Sequence, residues 1–340
     1  MDRKIQMHST QGAPTMVRTL AHVLLGAMLC AALVSTAVAA PASYNFVSVA
    51  SPGDPAFTQL LGINNSSLIA GYFGDGTVVP NNGFTLTYPG FAYTAENYPS
   101  STQTQVIGIN NSGWNDGFYV DPSGVTHGFT FNAGTFTTVD APGTAFNQLL
   151  GINNGLTAVG YSSLDPTGMT LQRSYMESGG TFTYLDGFLP SGALNNQAVG
   201  INGAGIVVGF YQDASGEFHG YIFNGTSATT LDYAGGMGTQ AFGINSAGEI
   251  VGDYTDASGT MHGFVYIGGV FYTVDDPAAV PGSTVINGVN DLGQLVGFYA
   301  DANDNVIGFV ATPVPEPGSL MLLGSGMLAG MGFLRRKLSR

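Results

Sequence analysis

The tripeptide Gly-Ile/Val-Asn recurs six times, beginning at Gly62, Gly108, Gly151, Gly200, Gly243 and Gly288, at intervals of 46, 43, 49, 43 and 45 residues. Nine residues after each of these glycines stands another, at Gly71, Gly117, Gly160, Gly209, Gly252 and Gly297, and a Tyr fills one of the two places after it in every unit. A fixed offset inside a variable period marks a structural unit whose turns differ in length. The fifth copy reads most plainly. Ala241–Asn245 is a short strand, and Asn245-Ser246-Ala247-Gly248 is a turn in which Asn bonds its own backbone and Gly takes positive φ. Glu249–Tyr254 is a second strand, Asp256-Ala257-Ser258-Gly259 a second turn, His262–Tyr266 a third strand, and Gly268-Gly269 leads into a fourth, Val270–Asp275. Such an antiparallel meander covers only part of its own apolar surface and needs a neighbour on each side.

A period near 45 with four strands per unit predicts a β-propeller blade. The ends predict how the ring closes. The sixth unit stops after Val306–Ala311, before a fourth strand, while Tyr44–Val49 followed by Ala50-Ser51-Pro52-Gly53 matches the fourth strand and exit of the second unit, Phe136–Val139 and Asp140-Ala141-Pro142-Gly143. The expectation is therefore an all-β, six-bladed β-propeller of four-stranded antiparallel blades over residues 41–312, closed by the N-terminal strand. Closure hides the edges that an open solenoid would expose. Composition agrees: 51 glycines in 340 residues, 44% hydrophobic and 9% charged, exclude a coiled coil, a helical bundle and, for want of a three-residue period, a collagen.

The charge is uneven. Between residues 41 and 312 there is one Arg, Arg173, and no Lys, against 20 acidic residues. Such a surface repels phosphate backbones, which excludes nucleic acid as a partner and disfavours anionic lipid. Solvation of the folded surface is the plain reading of this acidity. The single cysteine, Cys30, lies in an N-terminal apolar run, so the body has no disulfide and no thiol chemistry.

The two ends read as addresses. Arg18, the apolar run Val23–Val34 and the small-x-small site Ala37-Val38-Ala39 make residues 1–39 a secretory signal peptide for the Sec machinery, with translation starting at Met1 or Met16. At the other end, in residues 313–340, Pro315-Glu316-Pro317 precedes the apolar segment Gly318–Leu334 and then Arg335-Arg336-Lys337. Seventeen helical residues would span about 25 Å, a short transmembrane helix, and the basic end would stay cytoplasmic. The order of these parts closely resembles the PEP-CTERM sorting signal, with Pro315, Glu316, Pro317, Arg335 and Arg336 at the matching positions. The resemblance implies transient anchoring in the inner membrane of a Gram-negative bacterium and handling there by an exosortase. Delivery to the cell surface or to an exopolysaccharide-rich biofilm matrix would follow.

The repeat in turn resembles the HAF family of extracellular repeats, through its Gly-Ile-Asn step and through His127-Gly128-Phe129, His219-Gly220-Tyr221 and His262-Gly263-Phe264. Units one, three and six depart from it, with Asn82, Ser174 and Ile307 in place of His. That resemblance implies an extracellular setting and no activity.

Few residues offer chemistry. One His per blade cannot converge on a common metal, and a bond to a neighbouring turn accounts for each. The turn residues Asp121, Asp165, Asp213 and Asp256 fit turn closure. The densest oxygen cluster, Asp301-Ala302-Asn303-Asp304-Asn305, makes Asp301 and Asp304 the candidate calcium ligands, and calcium is the one cofactor for which the sequence offers a place. Asp275-Asp276, Glu177, Glu217 and Glu249 form no evident pair for glycoside chemistry. Arg173 fits a local ion pair, and Asn64, Asn110, Asn153, Asn202, Asn245 and Asn290 fit closed turns or a ring around a channel. No catalytic residue is assigned. The expected function is a non-enzymatic surface or matrix protein that binds exopolysaccharide. The alternatives are a carbohydrate-active hydrolase or lyase and a calcium-stabilised adhesive scaffold.

Overall fold

In the computed structural model, residues 43–314 are described, and their twenty-four strands form six four-stranded antiparallel sheets. After β1 (Tyr44–Val49), blade one comprises β2 (Thr58–Ile63), β3 (Leu68–Phe73), β4 (Asn82–Thr87) and β5 (Tyr93–Ala95). Blade two is β6 (Gln103–Ile109), β7 (Asn115–Val120), β8 (Thr126–Asn132) and β9 (Thr135–Val139), and blade three is β10 (Phe146–Ile152), β11 (Ala158–Ser163), β12 (Arg173–Ser178) and β13 (Thr181–Tyr184). Blade four is β14 (Leu194–Ile201), β15 (Val207–Gln212), β16 (Phe218–Phe223) and β17 (Ala228–Leu231). Blade five is β18 (Gly238–Ile244), β19 (Ile250–Thr255), β20 (Met261–Ile267) and β21 (Val270–Thr273). Blade six is β22 (Val285–Val289), β23 (Leu295–Ala300) and β24 (Val306–Pro313), completed by β1, which pairs with β24 from Tyr44↔Pro313 to Val49↔Gly308. The N-terminal strand thus supplies the missing fourth strand, as the sequence predicts. Among the described residues no helix is long and apolar enough to cross a membrane. The signal peptide, Cys30, the Pro-Glu-Pro box and the apolar segment Gly318–Leu334 lie outside the described residues.

The two glycines that define the repeat have one common cause. In every blade the innermost strand bulges at the residue before the first glycine, for example between Leu149 and Gly151 or between Ala241 and Gly243. The bulge brings the carbonyl three residues before that glycine against the second glycine: a Cβ at Gly160 would lie 1.9 Å from the Gln148 oxygen and one at Gly117 would lie 2.0 Å from the Gln105 oxygen. The first glycines meet one another around the axis. A Cβ at Gly200 would lie 3.2 Å from the Gly243 Cα, one at Gly243 3.2 Å from the Gly288 Cα, and one at Gly288 3.4 Å from the Gly62 Cα. Only glycine lets six inner strands approach this closely.

Apolar packing between blades follows the same period. The residue two before the first glycine, Leu60, Val106, Leu149, Ala198, Ala241 or Ile286, is fully buried in every blade. So is an aromatic on the third strand: Phe84, Phe129, Tyr175, Tyr221, Phe264 and Phe309. These are the Phe/Tyr of the His-Gly-Phe step, kept in all six blades although the His is present in three; in blade three the register puts Arg173, not Ser174, at the His position, with Ser174 at that of the Gly. Burying each contributes about 1.5–3 kcal/mol.

Candidate functional site

The channel along the ring axis has two ends of opposite character. Each inner strand is followed at once by an Asn, and the six amides close a circle. Asn64 Nδ2 donates to the Asn110 carbonyl at 3.1 Å, Asn110 to Asn153 at 2.9 Å, Asn153 to Asn202 at 3.1 Å and Asn202 to Asn245 at 3.2 Å. Asn245 continues to Asn290 at 3.1 Å, and Asn290 returns to Asn64 at 3.0 Å across the closure. Each Oδ1 meanwhile accepts two backbone N–H groups of its own turn, as Asn153 does from Gly155 and Thr157. All six amides are therefore spent both on their turns and on joining blade to blade. A partial outer circle repeats the scheme, with the N–H of Asn65, Asn111 and Asp291 donating to Asn111, Asn154 and Asn65. The cavity at this end measures only about 80 Å³.

Towards the opposite end the channel holds a larger cavity. Five residues earlier on the inner strands stand Gln59, Gln105, Gln148, Gln197 and Gln240, with Val285 in the sixth blade. Directly across from them on the second strands lie Tyr72, Phe118, Tyr161, Phe210, Asp253 and Phe298. Four of the glutamines, with Phe118, Phe210, Phe242, Leu61, Leu150 and Asn287, line a cavity of about 340 Å³. The amides are only partly used. Gln59 Oε1 accepts from the Tyr72 hydroxyl at 2.9 Å, and Gln105 and Gln197 each donate through Nε2 to Asn81 and Gln172. Among the described residues no side-chain hydrogen bond holds Gln148. Free amide donors and acceptors beside aromatic rings suit polyhydroxylated ligands. This glutamine circle has a plain sequence signal, Gln three residues before Gly in five of six units, but the Gln carries no turn or ligand pattern that would single it out.

Two buried acids break the symmetry. Asp253 takes the aromatic position opposite Gln240, is 7% exposed, and among the described residues has no hydrogen-bond partner; burial pushes its carboxyl up to about 7. Asp116 sits where the other blades carry Ala70, Val159, Val208, Val251 and Val296. It is fully buried and accepts from the Gly108 N–H at 2.8 Å, while its Oδ2 has no partner among the described residues. Burial raises it to about 8, outweighing the backbone hydrogen bonds of Gly108 and Gly151 that lower it.

The remaining acids gather at the glutamine end. Fifteen of the 20 lie in connections that open there and two, Glu249 and Asp291, in those around the asparagine end. In three blades they bracket the repeat histidine. His127 Nδ1 lies 2.6 Å from Asp140, His219 Nδ1 2.9 Å from Asp232 and His262 Nδ1 2.7 Å from Asp275, each Asp thirteen residues on. Nε2 of each points at the turn aspartate, 3.6 Å from Asp121, 3.7 Å from Asp213 and 3.6 Å from Asp256. The imidazoles stack on Tyr119, Tyr211 and Tyr254 with centroids 5.1, 5.2 and 5.3 Å apart. The bond to Asp275 raises the basicity of His262; for His219 partial burial works against the charge, and Asp232 outweighs it. Each histidine stays within its own blade, and the three do not converge.

Asp301 spends both oxygens on its turn: Oδ1 accepts from the Asn303 and Asn305 N–H groups and Oδ2 from Asn305 Nδ2. Asp304 occupies the left-handed position, φ 62°, that Gly124, Gly216 and Gly259 fill in the sister turns. Arg173 lies 3.1 Å from Asp186 and packs over the Tyr184 ring at 4.0 Å, a local ion pair. Glu177 accepts from the Gly180 N–H and Glu249 from Asn245 Nδ2, while Glu217 reaches towards His219 and Asp213.

Residues 313–337 match the PEP-CTERM protein-sorting motif, which supports exosortase-dependent export of this propeller. No curated protein matches the chain. Among solved structures, the six-bladed fucose-recognising lectin of the fungus Aleuria aurantia is similar at 12% identity, over 82% of this chain and 98% of that one, with a TM-score of 0.46. AofleA from Arthrobotrys oligospora matches at 10% identity over 81% and 88% of the two chains, TM-score 0.47. The propeller domain of the Trilobed protease of Pyrococcus furiosus matches at 12% identity over 75% and 95%, TM-score 0.44. The likeness is one of architecture alone.

Proposed function

We propose that this chain is a non-enzymatic protein of the cell surface or extracellular matrix that holds an exopolysaccharide segment at the glutamine end of its channel. The sorting motif supports the address, and the HAF-like repeat fits it. The observation that carries the binding clause is the 340 Å³ cavity in which Gln59, Gln105, Gln148 and Gln197 stand beside Phe118, Phe210 and Phe242. Amides pair with sugar hydroxyls as donor and acceptor at once, and ring faces cover the apolar C–H faces of a pyranose.

The test is calorimetric titration of the purified protein with a panel of bacterial exopolysaccharides. At least one is expected to bind, with Gln148→Ala and Gln105→Ala each weakening it about tenfold, the worth of one or two hydrogen bonds. Asn65→Ala, at the other end, is expected to leave affinity unchanged. No binding across the panel, or equal losses at both ends, overturns the reading.

A further inference from the structure

We propose that blade four carries a binding site for a first-row divalent cation of the zinc class, formed by His219, Asp213 and Glu217 on the acidic face.

The ligand atoms of these three side chains lie within 4.8 Å of one another. Asp213 and Glu217 are held at the ends of one turn, since the Asp213 N–H donates to the Glu217 carbonyl at 2.9 Å, and β16 begins at once, setting His219 beside them. Asp213 Oδ1 is consumed by the Ser215 and Glu217 N–H groups, which leaves Oδ2 facing His219 Nε2 at 3.7 Å. That gap is too long for a hydrogen bond. It is close to the roughly 3.4 Å that separates two ligands of a tetrahedral ion bound at about 2.0–2.2 Å.

Asp232, on the far side of the ring at 2.9 Å, holds the Nδ1 proton and so turns the Nε2 lone pair towards the cluster. A carboxylate behind a histidine is the usual support of a metal-bound imidazole. The donor set of one imidazole and two carboxylates suits zinc and its neighbours and not calcium, which takes oxygen alone.

Blades two and five are built-in controls. They repeat the His with both Asp partners, at His127 and His262, but carry Val125 and Thr260 where blade four has Glu217. Two protein ligands hold an ion far more weakly than three, so the blades are expected to differ.

The experiment is titration of the purified protein with zinc chloride, with calcium chloride alongside. One zinc per chain is expected, with calcium giving no saturable binding at this site. Glu217→Thr, which copies blade five, is expected to remove the site, and His219→Gln and Asp232→Asn to weaken it by about tenfold or more. Thr260→Glu, which copies blade four into blade five, is expected to raise the stoichiometry to two. His8 and His22 are common to every variant, and melting without metal checks that each remains folded. Three equivalent zinc ions unaffected by Glu217→Thr, binding untouched by His219→Gln, or no binding below millimolar zinc overturns the proposal.

Discussion

The two ends of the channel are made from the same strand a few residues apart, yet they have opposite jobs. At the asparagine end each amide reaches the next blade, and the circle closes on itself from Asn290 to Asn64. At the glutamine end the side chains are longer, sit before the bulge and are only partly bonded, with Gln148 held by no side-chain hydrogen bond among the described residues. A short amide that must meet its neighbour becomes structure, whereas a long amide facing a cavity is left for a ligand. The acids follow the same division, crowding the glutamine end and sparing the asparagine end.

Both ends depend on the close approach of the first two strands at the bulge, so crowding it has the largest expected effect. Gly160→Ala would place a methyl 1.9 Å from the Gln148 oxygen and is expected to cost more than about 3 kcal/mol or to prevent folding. Gly187→Ala, with open space around it, is the control and is expected to stay within about 0.5 kcal/mol of the parent in equilibrium urea unfolding.

Next comes the circle itself. Asn153→Ala frees the Gly155 and Thr157 N–H groups and the Asn202 carbonyl together, and is expected to lower stability by about 2–3 kcal/mol. Gln148→Ala, five residues earlier on the same strand, is expected to change it by less than about 0.5 kcal/mol. Equal losses would dissolve the contrast between the two ends.

The smallest effect is one of pH. Asp253 and Asp116 hold their protons up to about 7 and about 8, against an ordinary 3.8. The folded chain therefore binds more protons than the unfolded one across that window, and stability falls as pH rises from about 4 to about 8. Asp253→Asn is expected to raise the urea midpoint at pH 8 and to leave it unchanged at pH 5. A midpoint equally raised at both values would show that Asp253 does not titrate in this window.

The blade count, the strand order and the closure were legible because each rests on short-range chemistry repeated along the chain. Asn-x-x-Gly and Asp-x-Ser-Gly turns and the fixed nine-residue offset lie within one unit, and the closure shows as a match between two units, Tyr44–Val49 against Phe136–Val139. The His–Asp pairs were legible in principle, since both members lie thirteen residues apart in three blades. The sorting box Pro315-Glu316-Pro317 needs no fold at all to be read.

Tertiary structure decided the partners. Asn64 meets Asn110 because two units stand side by side, and Asn290 meets Asn64, 226 residues away, because the ring closes. Gly62 and its five counterparts read as turn or strand residues until six of them crowd one axis. Asp253 reads as one more surface acid until the channel wall buries it. A repeated sequence determines the blade, because a blade is held by its own turns. It does not by itself say which side chains the ring will press together, because those contacts exist only when the sixth blade takes back the first strand.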